Sequence, residues 1–315
     1  MLITAARNEA GLIERTIQSV VAQTHQPLRW VIVSDGSTDG TDEIVQRHAA
    51  AHPWIELLRM PESQERNFAG KARAFNAGWD KLKPLPCDFV GNLDADVFFG
   101  ADFFAYLVEK LAADPALGLA GAAFVEAGRT YNYRFVGLDH VSGQCQLFRR
   151  QCLEDIGGYE PIKSGGIDLT AELTARFKGW RTRTFAEKVF THLRQMGTAN
   201  NSGLKLHYKL GVENYLRGSH PVWAFFQASY HMLRKPLLVG GLLMLAGYFK
   251  PALLCRPKTL APALVEIRRR DQMDRLKRIL RLKKVGQPVD SHLNCPCGPA
   301  SQCGPMGMQV AGSKD

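Results

Sequence analysis

Short apolar runs that each end in a polar, acidic turn alternate with helical patterns along the first hundred residues of this chain. Residues 2–6 and 29–33 are the first two runs, and each is followed by a helical pattern, at about residues 10–23 and 41–51. Such alternation is typical of a parallel sheet with helices on its faces. The sequence therefore predicts an α/β fold, which is the strongest constraint that it offers.

Acidic residues follow these runs directly. Residues 89–93 form a third apolar run, and Asp94 and Asp96 come immediately after it, one residue apart. Two unpaired carboxylates so close repel each other, so a divalent cation is their natural compensation, and a cation there can hold a diphosphate. The alternative is an Asx turn that ends a strand. Because ligands of open α/β sheets bind beyond the carboxyl ends of strands, Glu9 and Asp35 should share a crevice with this pair.

Four short segments stand out by their order and spacing. They are TAARNE at residues 4–9, VSDGSTD at 33–39, GKARAFNAG at 70–78 and LDAD at 93–96. Together they resemble the family 2 glycosyltransferases of the GT-A fold, over about residues 1–225. The resemblance implies a Rossmann-like nucleotide-diphospho-sugar transferase fold, with a mixed, mainly parallel sheet flanked by helices, and a Mg²⁺ or Mn²⁺ cofactor.

The resemblance also implies which residues bind the donor, a nucleotide diphosphate sugar of the UDP type. The expected donor-binding residues are Thr4, Ala5, Glu9, Asp35, Lys71, Arg73, Asp94 and Arg194. Asp96 and His192 are expected to hold the metal, since a histidine near this point joins the metal or the diphosphate in several GT-A enzymes. The alternative for Lys71 and Arg73 is a solvated helix surface, and for His192 it is a structural role.

One carboxylate on the acceptor side is expected to act as the catalytic base. In the family a Glu-Asp pair supplies it, with the Asp eleven residues before a glycine that ends a helix. Asp168 has that position relative to Gly179, whereas Ile167 replaces the Glu. A carboxylate within about 3 Å can accept the proton of an attacking hydroxyl, and a single one suits inversion. The alternative for Asp168 is a helix cap, in which case the base would be Glu154, Asp155 or Glu172.

The segment QPLRW at residues 26–30 matches the Q-x-x-R-W signature of processive family members, but it precedes the second strand instead of following the base. Because no such motif follows Asp168, the expected activity is transfer of one sugar per encounter to a carbohydrate or lipid-linked acceptor. One alternative is a nucleotidyltransferase, which usually has a Gly-rich, Arg- and Lys-bearing loop that residues 7–11 do not match. Another is a catalytically inactive nucleotide-sugar-binding scaffold, since the Glu is missing.

The composition changes at about residue 204, which predicts a catalytic domain at residues 1–203 and a helical, membrane-associated extension at residues 204–285. Residues 236–249 contain no charge, and as a helix they would span about 21 Å, short of the roughly 30 Å hydrocarbon core of a bilayer. The expected form is a re-entrant or interfacial segment, or a buried helical hairpin split near Gly240 and Gly241, with ordinary core packing as the alternative. Residues 286–315 are rich in Pro, Gly, Ser and Cys, which predicts a disordered tail.

Residues 268–284 carry nine Lys or Arg against two Asp, which accounts for most of the formal net charge of +10. An exposed basic amphipathic helix beside an apolar segment predicts binding to an anionic membrane surface, with a solvated charged helix as the alternative. Nucleic acid is not expected, because the catalytic half lacks a basic stripe with stacking aromatic residues. The first strand has no basic leader, and seven cysteines without framework spacing suit a reducing compartment. The expected location is cytoplasmic, peripheral or monotopic on the inner face of the cell membrane.

Overall fold

The structure is a computed structural model, and it describes residues 1–61, 68–126, 129–130, 137–194, 203–234 and 236–284. The tail predicted at residues 286–315 lies outside these described residues. Within them, the chain forms a mixed sheet with helices on both faces, followed by a group of helices at residues 204–284.

The first part of the sheet is parallel. Its strands are β1 (Leu2–Ala6), β2 (Trp30–Asp35), β3 (Ile55–Met60) and β4 (Phe89–Leu93), in the order β3-β2-β1-β4. The connecting helices are α1 (Ile13–Val21), α2 (Thr41–Ala51) and α3 (Phe68–Leu82). Helix α3 packs very closely on β1, because a methyl group on Gly78 would lie only 2.7 Å from Cγ2 of Ile3. The predicted first helix is shorter than residues 10–23, since residues 10–12 form a turn.

An antiparallel strand joins the two parts of the sheet. Strand β8 (Cys145–Arg149) pairs antiparallel with β4 on one side and with β6 (Leu117–Glu126) on the other. Strand β9 (Arg181–His192) is parallel to β6 and antiparallel to β5 (Val97–Phe99), and β7 (Arg129–Thr130) pairs with β6. The helices of this part are α4 (Phe103–Ala113), α5 (Arg150–Ile156) and α6 (Ile167–Phe177). This mixed, helix-flanked sheet confirms the predicted fold class.

Apolar side chains on both faces of the sheet hold the helices in place. On one face, α1 and α4 contribute to a cluster that includes Phe103 and Phe190, whose rings meet edge to face with 6.2 Å between centroids. On the other face, α3, α5 and α6 surround Phe75, Phe148 and Tyr159. Complete burial of a phenylalanine side chain contributes about 1.5–3 kcal/mol. The turns at the edge of the sheet are therefore attached to a well-packed support.

The helices after the sheet are α7 (Leu204–Leu216), α8 (Pro221–Met232), α9 (Val239–Leu253) and α10 (Pro262–Lys284). Helices α7 and α9 cross at very short range, because a methyl group on Gly247 would lie 2.1 Å from the carbonyl oxygen of Tyr208. A methyl group on Gly211 would lie 2.0 Å from the carbonyl oxygen of Met244. Both distances are far below a van der Waals contact, so this crossing requires glycine at both positions.

The uncharged run at residues 236–249 contributes most of α9, and the predicted hairpin split near Gly240 and Gly241 is wrong. Helix α9 runs continuously through both glycines, and α8 ends at Met232. The inner side of α9 buries Met244 and Tyr248. Among the described residues, no helix is both long enough and apolar enough to cross a membrane.

The basic segment lies in α10, but the prediction that its charges are exposed is wrong for one side of the helix. Gln272 is buried, and Arg268 and Arg275 are half-buried, so these residues at spacings of four and three face the protein. Asp271 accepts two hydrogen bonds from Arg176 of α6, one of them at 2.9 Å. Contacts with α6 and with the start of α8 hold this polar face of α10 against the protein. Only the opposite face of α10 therefore lies in solvent.

Candidate active site

The acidic turns meet at one edge of the sheet. Asp35 ends β2, Glu9 lies in the turn after β1, and Asp94 and Asp96 follow β4. His192 is the last residue of β9, and its Nε2 atom lies 3.3 Å from Oδ2 of Asp96. The fold thus places five side chains, from four different strand ends, around the same crevice.

A salt bridge engages the first carboxylate of the pair. Lys71 Nζ contacts Oδ1 of Asp94 and donates a hydrogen bond to the carbonyl oxygen of Gly143, at 3.3 Å. Burial raises the pKa of Asp94, and the charge of Lys71 offsets this only in part. Burial lowers the pKa of Lys71, but the charge of Asp94 outweighs that effect, so the pKa of Lys71 is raised. Lys71 is therefore a charged ammonium beside the acidic pair at neutral pH.

Cationic side chains surround the second carboxylate. Besides His192, Arg194 Nε lies 3.9 Å from Oδ2 of Asp96, and Arg194 Nη2 lies 2.6 Å from Oε2 of Glu9. Burial raises the pKa of Asp96, but the hydrogen bond and charge of His192 outweigh it, so the pKa of Asp96 is lowered. Burial raises the pKa of Glu9 to about 7 despite the charge of Arg194. At neutral pH Asp96 is therefore ionised, whereas Glu9 is close to half-protonated.

Two interlocked turns fix the position of Asp35, which is 8% exposed. Asn8 has a left-handed φ of 57°, and its Oδ1 accepts a hydrogen bond from the backbone N–H of Thr38 at 2.9 Å. Arg7 Nη1 lies 3.4 Å from Oδ2 of Asp35. The start of α3 approaches the same oxygen, since a methyl group on Gly70 would lie 2.9 Å from it. Asp35 is therefore held by the turns after β1 and β2.

Three of the expected donor-binding residues lie apart from these contacts. Thr4 is buried within β1, and its hydroxyl accepts a hydrogen bond from the indole N–H of Trp30 at 3.0 Å. Ala5 is half-buried in the same strand, and Arg73 is exposed on α3. The structure does not bring the Thr4 side chain to the crevice, because its hydroxyl is engaged inside the core.

Asp168 lies in the first turn of α6, close to the donor crevice. The residue that caps α6 is Gly166, and no side-chain hydrogen bond caps this helix, so the capping alternative for Asp168 is not observed. A methyl group on Gly143 would lie 3.0 Å from Oδ2 of Asp168. The carbonyl oxygen of Gly143 also accepts hydrogen bonds from Lys71 and, at 2.9 Å, from Asn92 Nδ2. Gly143 therefore connects Asp168 to the acidic pair.

The side chain of Asp168 lines a cavity of about 650 Å³ between α6, α7 and α10. Within the described part of the chain, neither a hydrogen bond nor a salt bridge engages its carboxylate. Ile167, which stands where the family has Glu, is buried in the core beneath α6. Asp168 is consequently a free carboxylate at the boundary between the crevice and the cavity.

The other carboxylates considered as bases are engaged elsewhere. Glu172 is 2% exposed, and its Oε2 atom lies 2.7 Å from Nδ1 of His140. Glu154 accepts a hydrogen bond from Arg150 Nε at 2.8 Å, and Asp155 accepts one from Trp180 Nε1 at 2.8 Å. Glu154 and Asp155 also belong to α5, away from the cavity. Geometry therefore favours Asp168 over all three.

The Q-x-x-R-W sequence lies at the opposite end of the strands. Its Trp30 is completely buried at the start of β2, and Gln26 and Pro27 border a separate cavity of about 510 Å³ beside the start of β1 and β4. Neither Asp168 nor the acidic pair lines that cavity. The match to the processive signature is therefore a coincidence of sequence.

Asp96 and His192 suit a divalent cation chemically. An oxygen of Asp96 and the Nε2 atom of His192 lie 3.3 Å apart, and the buried Nδ1 atom of His192 lies 3.7 Å from Oε1 of Glu126. No cluster of three or more His, Cys, Asp or Glu side chains suitable for a metal occurs in the parts of the chain that the structure describes. Mg²⁺ commonly takes one or two protein ligands and completes its coordination with substrate phosphates. This pair fits a metal that binds together with a diphosphate.

The sequence motifs did not indicate the polar residues that line the cavity on the side of α7 and α10. Arg217, the residue after α7, lines it together with Arg268, Gln272 and Arg275 of α10. The spacing of Arg268, Gln272 and Arg275 places them on one helix face, and this periodicity was a usable signal. The net charge of the whole segment does not reveal that these polar residues share one face of the helix.

The glycosyl transferase family 2 model matches residues 1–155. Over 201 residues the chain is 33% identical to the poly-beta-1,6-N-acetyl-D-glucosamine synthase of Staphylococcus aureus strain MSSA476, and the match covers 58% of this chain and 46% of that protein. The synthase of the same name from Staphylococcus epidermidis is 24% identical over 182 residues, covering 50% of this chain and 41% of that protein. The chain spans about half the length of the curated relatives it matches.

Many solved structures resemble this one, and two of them were solved with a nucleotide sugar. The mannosyltransferase PcManGT from Pyrobaculum calidifontis, in complex with GDP-Man and Mn²⁺, has a TM-score of 0.55 at 21% identity, covering 90% of this chain and 80% of that chain. S. aureus TarS 1–349 in complex with UDP-GlcNAc has a TM-score of 0.52 at 14% identity, covering 79% and 70%. At these identities the likeness establishes the fold, which is GT-A-like. Residues 1–155 of this chain therefore match glycosyl transferase family 2, and the fold of the mixed sheet is GT-A-like.

Proposed function

We propose that this protein transfers a single sugar, with inversion and with the help of Mg²⁺ or Mn²⁺, from a UDP-sugar to a carbohydrate or lipid-linked acceptor. The observation that carries the proposal is the free carboxylate of Asp168, which lies between the acidic crevice and the large cavity. The crevice has the charges for a nucleotide diphosphate, and the cavity has room for an acceptor. The roles of the named residues follow from this arrangement.

On the donor side, the crevice offers both anions and cations. Asp35 can accept hydrogen bonds from the nucleoside, and Lys71 and Arg194 carry positive charge for the diphosphate. Asp96 and His192 would hold the metal, which when bound would stabilise the negative charge of the leaving diphosphate as a Lewis acid. Since charge is stabilised in this way, the leaving group needs no proton from the protein.

On the acceptor side, Asp168 accepts the proton of the attacking hydroxyl as the new glycosidic bond forms. General-base catalysis of this kind typically contributes 10²- to 10⁴-fold. The neighbouring carboxylates of the cavity are engaged by cations: Glu172 by His140, Glu213 by Arg217 and Asp271 by Arg176. One free carboxylate on the acceptor side supports direct displacement, which inverts the anomeric centre.

The choice of donor rests on the relatives. TarS was solved with UDP-GlcNAc, PcManGT with GDP-Man, and the matched synthases are named for poly-N-acetylglucosamine. We therefore put UDP-GlcNAc first among UDP-sugars. Those names also include polymerising enzymes, so product length is part of the test.

The decisive experiment incubates the full chain with Mn²⁺ and UDP-GlcNAc, UDP-glucose or GDP-mannose, and measures released nucleotide and product. We expect UDP release with a UDP-sugar, an acceptor extended by one sugar, and an inverted anomeric configuration by NMR. Release of sugar 1-phosphate in place of UDP, with UMP transferred to the acceptor, would indicate a nucleotidyltransferase instead. Donor binding without any release, across a panel of acceptors, would indicate an inactive scaffold.

We further propose that the protein is cytoplasmic and binds the inner face of the cell membrane as a peripheral or monotopic protein, through the helices at residues 204–284. Leu233, Leu237 and Leu238, between α8 and α9, are 81%, 62% and 63% exposed. The outer face of α10 exposes Lys277 and Arg278. Exposed leucines and nearby cations are the features of an interfacial anchor for anionic lipid.

The double variant Leu237→Glu, Leu238→Glu should bind anionic vesicles at least about tenfold more weakly, because two apolar side chains lose their place in the lipid interface. Binding of the unaltered protein should also weaken as salt screens the cations. Vesicle cosedimentation measures both effects, with Leu28→Glu as the control, since Leu28 is 71% exposed on the catalytic part. Equal cosedimentation of the double variant and the control would rule out this anchor.

A further inference from the structure

Positively charged side chains converge on the roof of the cavity that Asp168 lines. Arg217 directly follows the last residue of α7, and Arg268 and Arg275 lie seven residues apart on the same face of α10. The start of α6 leaves room for Arg217, since a methyl group on Gly166 would lie 3.0 Å from its Nε atom. This cationic roof, defined by Arg217, Arg268 and Arg275, faces the same space as the proposed base.

Two members of the cationic roof lack a carboxylate partner in the described residues. Arg217 pairs with Glu213 at 3.2 Å, whereas Arg268 donates one hydrogen bond, from Nη2 to Ser219 Oγ at 3.1 Å. The Nε atom of Arg268 is shielded from solvent and has no hydrogen-bond partner there. No salt bridge or hydrogen bond within the described part of the chain engages Arg275.

Such a grouping of positive charges is electrostatically unfavourable by itself. Burial, followed by the charges of Arg217 and Arg275, lowers the pKa of Arg268 to about 10, although the charges of Glu172 and Asp271 oppose this shift in part. Half-buried cations that repel one another destabilise the fold unless an anion compensates them. Arginine also offers a planar fork of donors that matches the oxygens of a phosphate group.

We propose that the cationic roof binds a phosphate group carried by the acceptor, so that the acceptor is a phosphorylated molecule whose hydroxyl is presented to Asp168. This inference rests on the proposed function, since it names the acceptor class of the same site. The roof is distinct from the donor crevice, where Lys71 and Arg194 provide the positive charge. The phosphate can belong to a lipid headgroup or to a soluble phosphorylated acceptor, and both present the same oxygens.

Glycerol 3-phosphate is a suitable probe, and glycerol is its neutral counterpart. Calorimetric titration of the full chain, with and without saturating UDP and Mn²⁺, should show binding of glycerol 3-phosphate but not of glycerol, with similar affinity in both conditions. Arg275→Gln should weaken this binding at least about tenfold, because a charge-assisted contact is lost. Arg275→Lys should lose less, about threefold, because the charge remains. Arg270→Gln, an exposed arginine of the same helix, is the matched control and should bind normally.

Vesicles of phosphatidylcholine that contain phosphatidic acid identify the source of the phosphate. Displacement of glycerol 3-phosphate by these vesicles assigns the site to a lipid headgroup, and failure to displace it assigns the site to a soluble phosphate. Equal affinity of Arg275→Gln and Arg270→Gln, or equal binding of glycerol and glycerol 3-phosphate, would overturn the inference. Phosphate binding without sugar transfer would contradict the proposed function alone, whereas transfer without phosphate binding would contradict this inference alone.

Discussion

Replacement of Asp168 by Asn should lower the rate of sugar transfer by at least about 10²-fold and leave donor affinity within a few-fold of the unaltered protein. The amide keeps the size and polarity of the side chain but cannot accept a proton at neutral pH. Stability should change little, because the carboxylate makes no capping hydrogen bond in the structure. The Asn variant loses the favourable interaction of the Asp168 carboxylate with the helix dipole, which contributes about 0.3–1 kcal/mol to stability.

The measurement is single-turnover transfer together with UDP affinity and the thermal midpoint. Glu154→Gln and Asp155→Asn are the matched controls, since each removes a carboxylate of α5 that already has a partner outside the cavity. Both controls should transfer at normal rates. Near-normal transfer by Asp168→Asn would mean that the proton goes to another group, and Glu172 with His140 would be the next pair to test.

The sequence was sufficient to predict that the acidic turns share one edge of the sheet, because local signals and topology agree there. Each acidic turn directly follows a strand, so the fold class alone decides where Asp35, Asp94 and Asp96 meet. Thr4 shows the limit of this reasoning. Thr4 lies in the segment that resembles a donor-binding motif, but its side chain points into the core, where its hydroxyl accepts a hydrogen bond from Trp30, 26 positions away. Adjacency in sequence does not reveal which side of a strand a residue faces.

The acceptor side was harder to predict because distant helices build it. The distance to Gly179 predicts Asp168 as a candidate base, but the cavity that Asp168 lines is closed by α7 and α10. Nothing local to Arg268 or Arg275 indicates that α10 docks on α6 through Arg176 and Asp271. A helix with many charges is normally predicted to be exposed to solvent on all sides. Only the spacing of the polar residues along one face indicates that this face contacts the protein.

Replacement of Asp96 by Asn should weaken UDP binding in the presence of Mn²⁺ at least about 30-fold. Asp96 lies beside His192, which lowers the pKa of the Asp96 carboxyl and keeps it ionised. Loss of a buried charge of this kind lowers the binding free energy by about 2 kcal/mol or more. Asp102→Asn is the matched control, because Asp102 is an exposed aspartate nearby in sequence whose partner is Lys188. The control should bind UDP normally in a fluorescence or calorimetric titration.

Chelation separates a metal ligand from a carboxylate that contacts the nucleotide directly. If Asp96 acts through the cation, EDTA and Asp96→Asn remove the same interaction, so their effects on UDP affinity should not add. The unaltered protein should then lose about as much affinity in EDTA as the variant has lost already, and the variant should lose little more. Fully additive losses would show that Asp96 and the metal contribute independently. Affinity that ignores both treatments would remove the cation from donor binding and leave Lys71 and Arg194 as the charges that hold the diphosphate.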